Sequence, residues 1–139
     1  MQGKLPSTLI IFSSDRTDVD SLQNLKNQGY VAQALSDARV PFSIVDGTYD
    51  GVSEVGFCAY LPSNPDSLVY EECMAAVLEL CIKYNQETYL QVSPEHTGRL
   101  VSVADGEIIK PLGRASFTDV QPANGDYTRF PSGSYLQVG

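Results

Sequence analysis

Residues 42–61, FSIVDGTYDGVSEVGFCAYL, decide how the rest of the chain is read. Residues 42–45 form a short strand-favouring run. Residues 46–51 (DGTYDG) are rich in Asp and Gly, the chemistry of a turn. Residues 52–61 return to strand-forming side chains, interrupted at Ser53 and Glu54. A strand–turn–strand unit is therefore expected here, and its flanks determine the topology. Upstream, residues 7–13 (STLIIFS) predict a buried strand. Residues 13–21 (SSDRTDVDS) read as a polar loop, and a helix follows that ends near Ala38. Leu22, Leu25, Ala32, Leu35 and Ala38 roughly share one face of that helix, Gly29 interrupts it, and Pro41 blocks its continuation. Downstream, Asn64-Pro65 opens a second helix, with Val69, Cys73, Ala76, Leu80 and Tyr84 as its expected core stripe.

Residues 88–92 alternate as a strand, and residues 100–103 and 107–109 flank Asp105-Gly106, a hairpin signal. A Gly- and Pro-rich tail ends in a short strand over 135–138. The order β-α-β-β-α-β plus a C-terminal hairpin predicts an α+β fold, a ferredoxin-like split βαβ sheet with two helices on one face. Such a sheet has a bare face, and oligomerisation is one way for a short chain to cover it.

The 139 residues fit one domain, and 42% hydrophobic content is enough for a packed core. No apolar run approaches the roughly 20 residues of a membrane-spanning helix. Residues 1–7 lack the charged-then-apolar pattern of a secretory signal. A net charge of −8, with nine scattered basic residues, argues against nucleic acid, where phosphates need clustered Lys and Arg. Cys58, Cys73 and Cys81 have no metal-binding spacing. Cys73 and Cys81 fall on one helix about 12 Å apart, beyond disulfide reach. An odd number of thiols in apolar contexts fits a reducing compartment, so a cytoplasmic protein is expected. A single histidine excludes a multi-histidine metal site.

No nucleophile–base pair stands out. His96 lies between two strands, as a turn residue or a catalytic one. Ser13-Ser14-Asp15-Arg16 leaves the end of the first strand, where ligand sites are common, but the same residues make an ordinary polar loop. Glu71 falls outside the polar face of Glu72, Glu79, Lys83 and Gln86 and heads an otherwise apolar column of Ala75, Leu78 and Ile82. A carboxylate there meets solvent, a partner or a ligand. Tyr60 ends the third strand, and a split βαβ layout would bring its hydroxyl near Glu71. Glu107, after the Asp105-Gly106 turn, is either a solvated charge or a partner for a ribose diol.

Five segments together resemble the phage-encoded S-adenosylmethionine lyases. They are Ser13-Ser14-Asp15-Arg16, Asp46-Gly47-Thr48, His96-Thr97 before Leu100-Val101, Ser116-Phe117-Thr118-Asp119-Val120, and Tyr135-Leu136-Gln137-Val138. Their order and spacing run over most of the chain, and the match is loose between Gly51 and Glu87. The resemblance implies cleavage of S-adenosylmethionine to 5'-methylthioadenosine and L-homoserine lactone, without metal or separate cofactor. It also implies a PII-like homotrimer with sites between subunits, and depletion of the methyl donor in an infected cell. Glu71 and Tyr60 are the catalytic candidates, and Ser14, Arg16, Asp46 and Glu107 the substrate-binding ones. The alternative is a non-catalytic PII-like trimer that senses an adenine nucleotide, with Arg16 and Arg99 on its phosphates.

Overall fold

The computed structural model describes residues 3–49 and 51–139. Asp50 of the expected turn lies outside the described residues, as do Met1 and Gln2 of the N-terminal segment. In chain order the elements are β1 (Ser7–Phe12), α1 (Ser21–Asp37), β2 (Phe42–Tyr49), β3 (Val52–Pro62), α2 (Leu68–Lys83), β4 (Thr88–Val92), β5 (Thr97–Ser102), β6 (Ile108–Thr118), β7 (Tyr127–Arg129) and β8 (Tyr135–Val138). The strands close into one barrel in the order β1-β3-β2-β7-β8-β6-β5-β4, with every neighbouring pair antiparallel.

This corrects the expected ferredoxin-like split βαβ sheet with a C-terminal hairpin, and with it the PII-like fold of the subunit. The sheet is not open, and no bare face remains to be covered. The reason lies in β6 and β7. The strand expected over 107–109 continues: β6 runs through Pro111 and Gly113 to Thr118. Register shifts between Gly98/Arg99 and Leu100/Val101, and a positive φ of 89° at Gly113, absorb the irregularity. The extended β6 pairs with β5 over its first half and with β8 over its second. The short β7 then joins β8 to β2. Asp46, Gly47 and Thr48 are consequently strand residues, held by β3 on one side and β7 on the other. Side-chain turn propensity yields here to two-sided backbone pairing.

Strand alternation sorts the side chains into two cores. On the outer side Ile10, Phe12, Phe57, Ala59, Leu61, Tyr89 and Val101 pack against both helices. On the inner side Leu9, Ile11, Val45, Cys58, Val92, Ala115, Phe130 and Leu136 fill the barrel. Helix α1 starts at Asp20, whose side chain accepts from the Gln23 amide, and it buries Asn27, Val31 and Leu35. Its buried row is therefore rotated from the expected one, and Leu22 and Leu25 are exposed. Helix α2 starts later than Asn64-Pro65 suggests, because the Ser67 hydroxyl caps the Tyr70 amide. It buries Cys73, Val77, Leu80 and Cys81, whereas Val69 is exposed. Among the described residues no helix is long and apolar enough to cross a membrane.

Candidate functional site

Two cavities occupy opposite mouths of the barrel. The antiparallel pairing of β1 with β3, from Ser7↔Pro62 to Phe12↔Phe57, fixes which residues reach which mouth. Ser7 and Leu9 of β1 and Tyr60 of β3 line one cavity of about 370 Å³, together with Leu5, Pro6, Ser43, Phe117, Phe130, Pro131, Ser132 and Ser134. Ile11, Phe12 and Ser13 line the other, of about 250 Å³, with Val45, Gly47, Glu54, Val55, Gly56, Gln86, Thr88, Tyr89, Leu90 and Leu100.

Tyr60 pairs with Leu9 and packs with the inner core, so its ring faces into the barrel. Its hydroxyl is 2.8 Å from Ser43 Oγ, and burial pushes its pKa up. This cavity is otherwise apolar, edged by the hydroxyls of Ser7, Ser132 and Ser134, and among the described residues no charged side chain lines it. Glu71 stands in the first turn of α2, exposed, with its amide donating to the Ser67 carbonyl at 3.2 Å. The expected meeting of Tyr60 with Glu71 does not occur within one chain. Ala59 and Leu61 face the helices, so Tyr60 between them must face the other way. Both nevertheless sit towards the same end of the barrel, since β3 ends at Pro62 and α2 begins at Leu68.

The column headed by Glu71 is solvent-facing. Ala75 is exposed, Leu78 is half-buried, Ile82 is 64% exposed, and Leu68, one turn before Glu71, is 68% exposed. An apolar column on a helix that is already packed on its other side is a surface without cover in the single chain.

The remaining candidates are dispersed. Ser14 is fully buried, and its Oγ has no hydrogen-bond partner among the described residues. Arg16 is engaged by Asp18, with Nε 2.8 Å from Oδ1 and a second contact from Nη2 to Oδ2. That hydrogen bond holds the Asp18 carboxyl below its ordinary value. The loop itself is pinned: Ser13 Oγ donates to Val55 O at 3.0 Å, the Arg16 amide to Asn24 Oδ1 at 3.0 Å, and Gln86 Nε2 to Asp15 O at 3.0 Å. Asp46 is exposed on β2 opposite Arg129, and Glu107 is exposed in the β5–β6 hairpin; neither is in the lining of either cavity. His96 holds the β4–β5 turn with φ of 66°; its Nε2 lies 2.9 Å from Gly3 O and its ring meets Phe117 edge-on.

Of the five segments singled out in the sequence, three reach the smaller cavity, through Ser13, Gly47 and Leu100. The other two are joined to each other by pairing of β6 with β8, and to the third by pairing of β5 with β6. Glu54, Gln86 and Thr88 were not anticipated. A signal for Glu54 existed: it lies in phase with Gly56, Cys58 and Tyr60, whose side faces inward, but as a charged residue it reads as a break in the strand. No protein-family model and no curated protein matches the chain.

Proposed function

We propose that the chain cleaves S-adenosylmethionine to 5'-methylthioadenosine and L-homoserine lactone, in a homotrimer whose sites lie between subunits. Tyr60 of one copy and Glu71 of its neighbour would share one substrate. The observation that carries this reading is the position of Glu71 at the head of an exposed apolar column, at the same end of the barrel as an uncharged cavity lined by Tyr60 and Ser43. A substrate bearing a sulfonium and an ammonium needs a counter-charge, and the cavity of a single chain offers hydroxyls alone. A second copy seated on the column supplies the carboxylate and covers Leu68 and Ile82 from water, at about 25 cal/mol per Å² of apolar surface.

The reaction asks little acid–base chemistry of the protein. The substrate carboxylate attacks its own γ-carbon, the carbon–sulfur bond breaks, and its electron pair returns to sulfur as neutral methylthioadenosine. Holding the tail in that alignment can supply on the order of 7–11 kcal/mol. Glu71 would bind the α-ammonium and Tyr60 would fix the tail. In an infected cell the consequence is depletion of the methyl donor. The nucleotide-sensor alternative gains no support: Arg16 is paired with Asp18, Arg99 is exposed, and no Lys or Arg lines either cavity.

The test is incubation with S-adenosylmethionine in oxygen-18 water, with early products read by mass spectrometry. Methylthioadenosine should appear with unlabelled lactone, and homoserine only later. Absence of methylthioadenosine refutes the activity, and homoserine formed without a lactone precursor refutes the intramolecular route.

A further inference from the structure

The smaller cavity has a composition that the lyase reading does not use. Glu54 pairs with Gly47 across β2 and β3, in phase with Val45↔Gly56 and Ser43↔Cys58. Val45 and Cys58 belong to the inner core, so the Glu54 side chain rises on the inner side of the sheet at the mouth of the barrel. The residue opposite it is Gly47, which presents no side chain of its own to the carboxylate. Glu54 is half-buried, and among the described residues no hydrogen bond or ion pair engages its carboxylate.

The rest of the lining sorts into two kinds. Ile11, Leu90 and Leu100 make an apolar wall, with Leu90 paired to both of the others. Gln86 and Thr88 bring neutral polar groups. Gln86 Nε2 is committed to the carbonyls of Asp15 at 3.0 Å and Tyr84 at 3.3 Å, so Oε1 is the end left to accept. Among the described residues Glu54 is the sole Asp, Glu, Lys or Arg in the lining. A carboxylate at the edge of an apolar cavity is answered best by a cation or a hydrogen-bond donor, which gain a charge-assisted bond. An anion is repelled here, and a neutral apolar molecule leaves the carboxylate unanswered.

We propose that this mouth of the barrel is a binding site for a small alkylammonium ion, with the Glu54 carboxylate as counter-charge, Gln86 and Thr88 as acceptors, and the Ile11–Leu90–Leu100 wall against the alkyl group. The site is distinct from the Tyr60 cavity at the opposite mouth and does not depend on the lyase reading.

The test is a titration of the full chain with n-butylammonium chloride and with 1-butanol, followed by amide shifts in proton–nitrogen correlation spectra. The ammonium ion should shift the Gly47, Glu54 and Gly56 amides saturably and leave Ser132 and Ser134, at the other mouth, unmoved. The alcohol should bind at least about tenfold more weakly. Glu54→Gln should weaken the ammonium ion by about the same factor, and Glu54→Asp should retain much of the affinity. Equal binding of the alcohol, shifts centred on Ser132 and Ser134, or unchanged affinity in Glu54→Gln overturns the proposal. If Glu54→Gln loses its folded spectrum, the comparison of ammonium with alcohol on the unaltered chain decides alone.

Discussion

Tyr60→Phe and Glu71→Gln, each made in a separate chain and then mixed, give the sharpest test of a shared site. Within one chain the two side chains stand on opposite sides of β3, because Ala59 and Leu61 pack under the helices while Tyr60 packs with Leu9 inside the barrel. Each variant alone should lose about ten- to a hundred-fold in turnover, the loss expected for one hydrogen bond to a charged group. Neither should unfold: Phe keeps the Tyr60 ring and removes only its hydroxyl, the partner of Ser43 Oγ and a hydrogen-bond neighbour of Cys58, and Glu71 is exposed. When the inactive variants are co-refolded in equal amounts, a site between subunits draws Tyr60 from one copy and Glu71 from the next. Each is intact with a probability of one half, so about a quarter of the sites, and about a quarter of wild-type activity, should return. Methylthioadenosine release, measured before and after mixing, reads this directly. Glu72→Gln, altered on the neighbouring polar face, is the matched control and should stay near wild type. Mixed samples no more active than the two variants summed would refute the shared site, as would a monomer by light scattering under assay conditions.

Gly98→Ala should destabilise the barrel by about 1–3 kcal/mol, since an added Cβ would lie 2.3 Å from Val138 Cγ1. Urea denaturation measures this, and the added Val138→Ala change should recover part of the loss; an unchanged midpoint for the single variant would contradict the packing of β5 on β8. Burial pushes the Cys58 and Cys81 thiols up to about 12. Both should resist iodoacetamide at pH 8 in the folded chain and react after denaturation. Rapid labelling of either, located by peptide mass, would contradict their placement in the two cores.

The local elements were largely readable because their signals are local. The strand over 88–92 and the short strand over 135–138 have the expected bounds, and Asp105-Gly106 does connect paired strands. Closure of the barrel was not readable. It depends on β6 continuing through Pro111 and Gly113, and on β7, a three-residue strand with no periodicity to detect. Helix phase was partly readable: Cys73 and Leu80 are buried as the stripe implied, whereas Leu22, Leu25 and Val69 are exposed although apolar. A periodic pattern cannot distinguish a residue that faces its own core from one that is apolar for another reason. The candidate residues fared by the same logic. Glu71 was identified from its break with the polar face, but its distance from Tyr60 follows from strand alternation beneath a helix layer. Glu54 was passed over because a charge in a strand reads as an interruption rather than as an inward residue at an open end.

The seam between β2 and β7 imposes an order on how the molecule is made. Asp46, Gly47 and Thr48 emerge in synthesis well before Arg129, Thr128 and Tyr127, the residues they pair with. Until then β2 carries an unsatisfied backbone edge, and so does β6 until β8 arrives. The C-terminal segment from Tyr127 to Val138 is thus a clasp that masks two sticky edges in one event. A chain halted before Tyr127 would expose both, and would tend to join its neighbours edge to edge rather than close on itself.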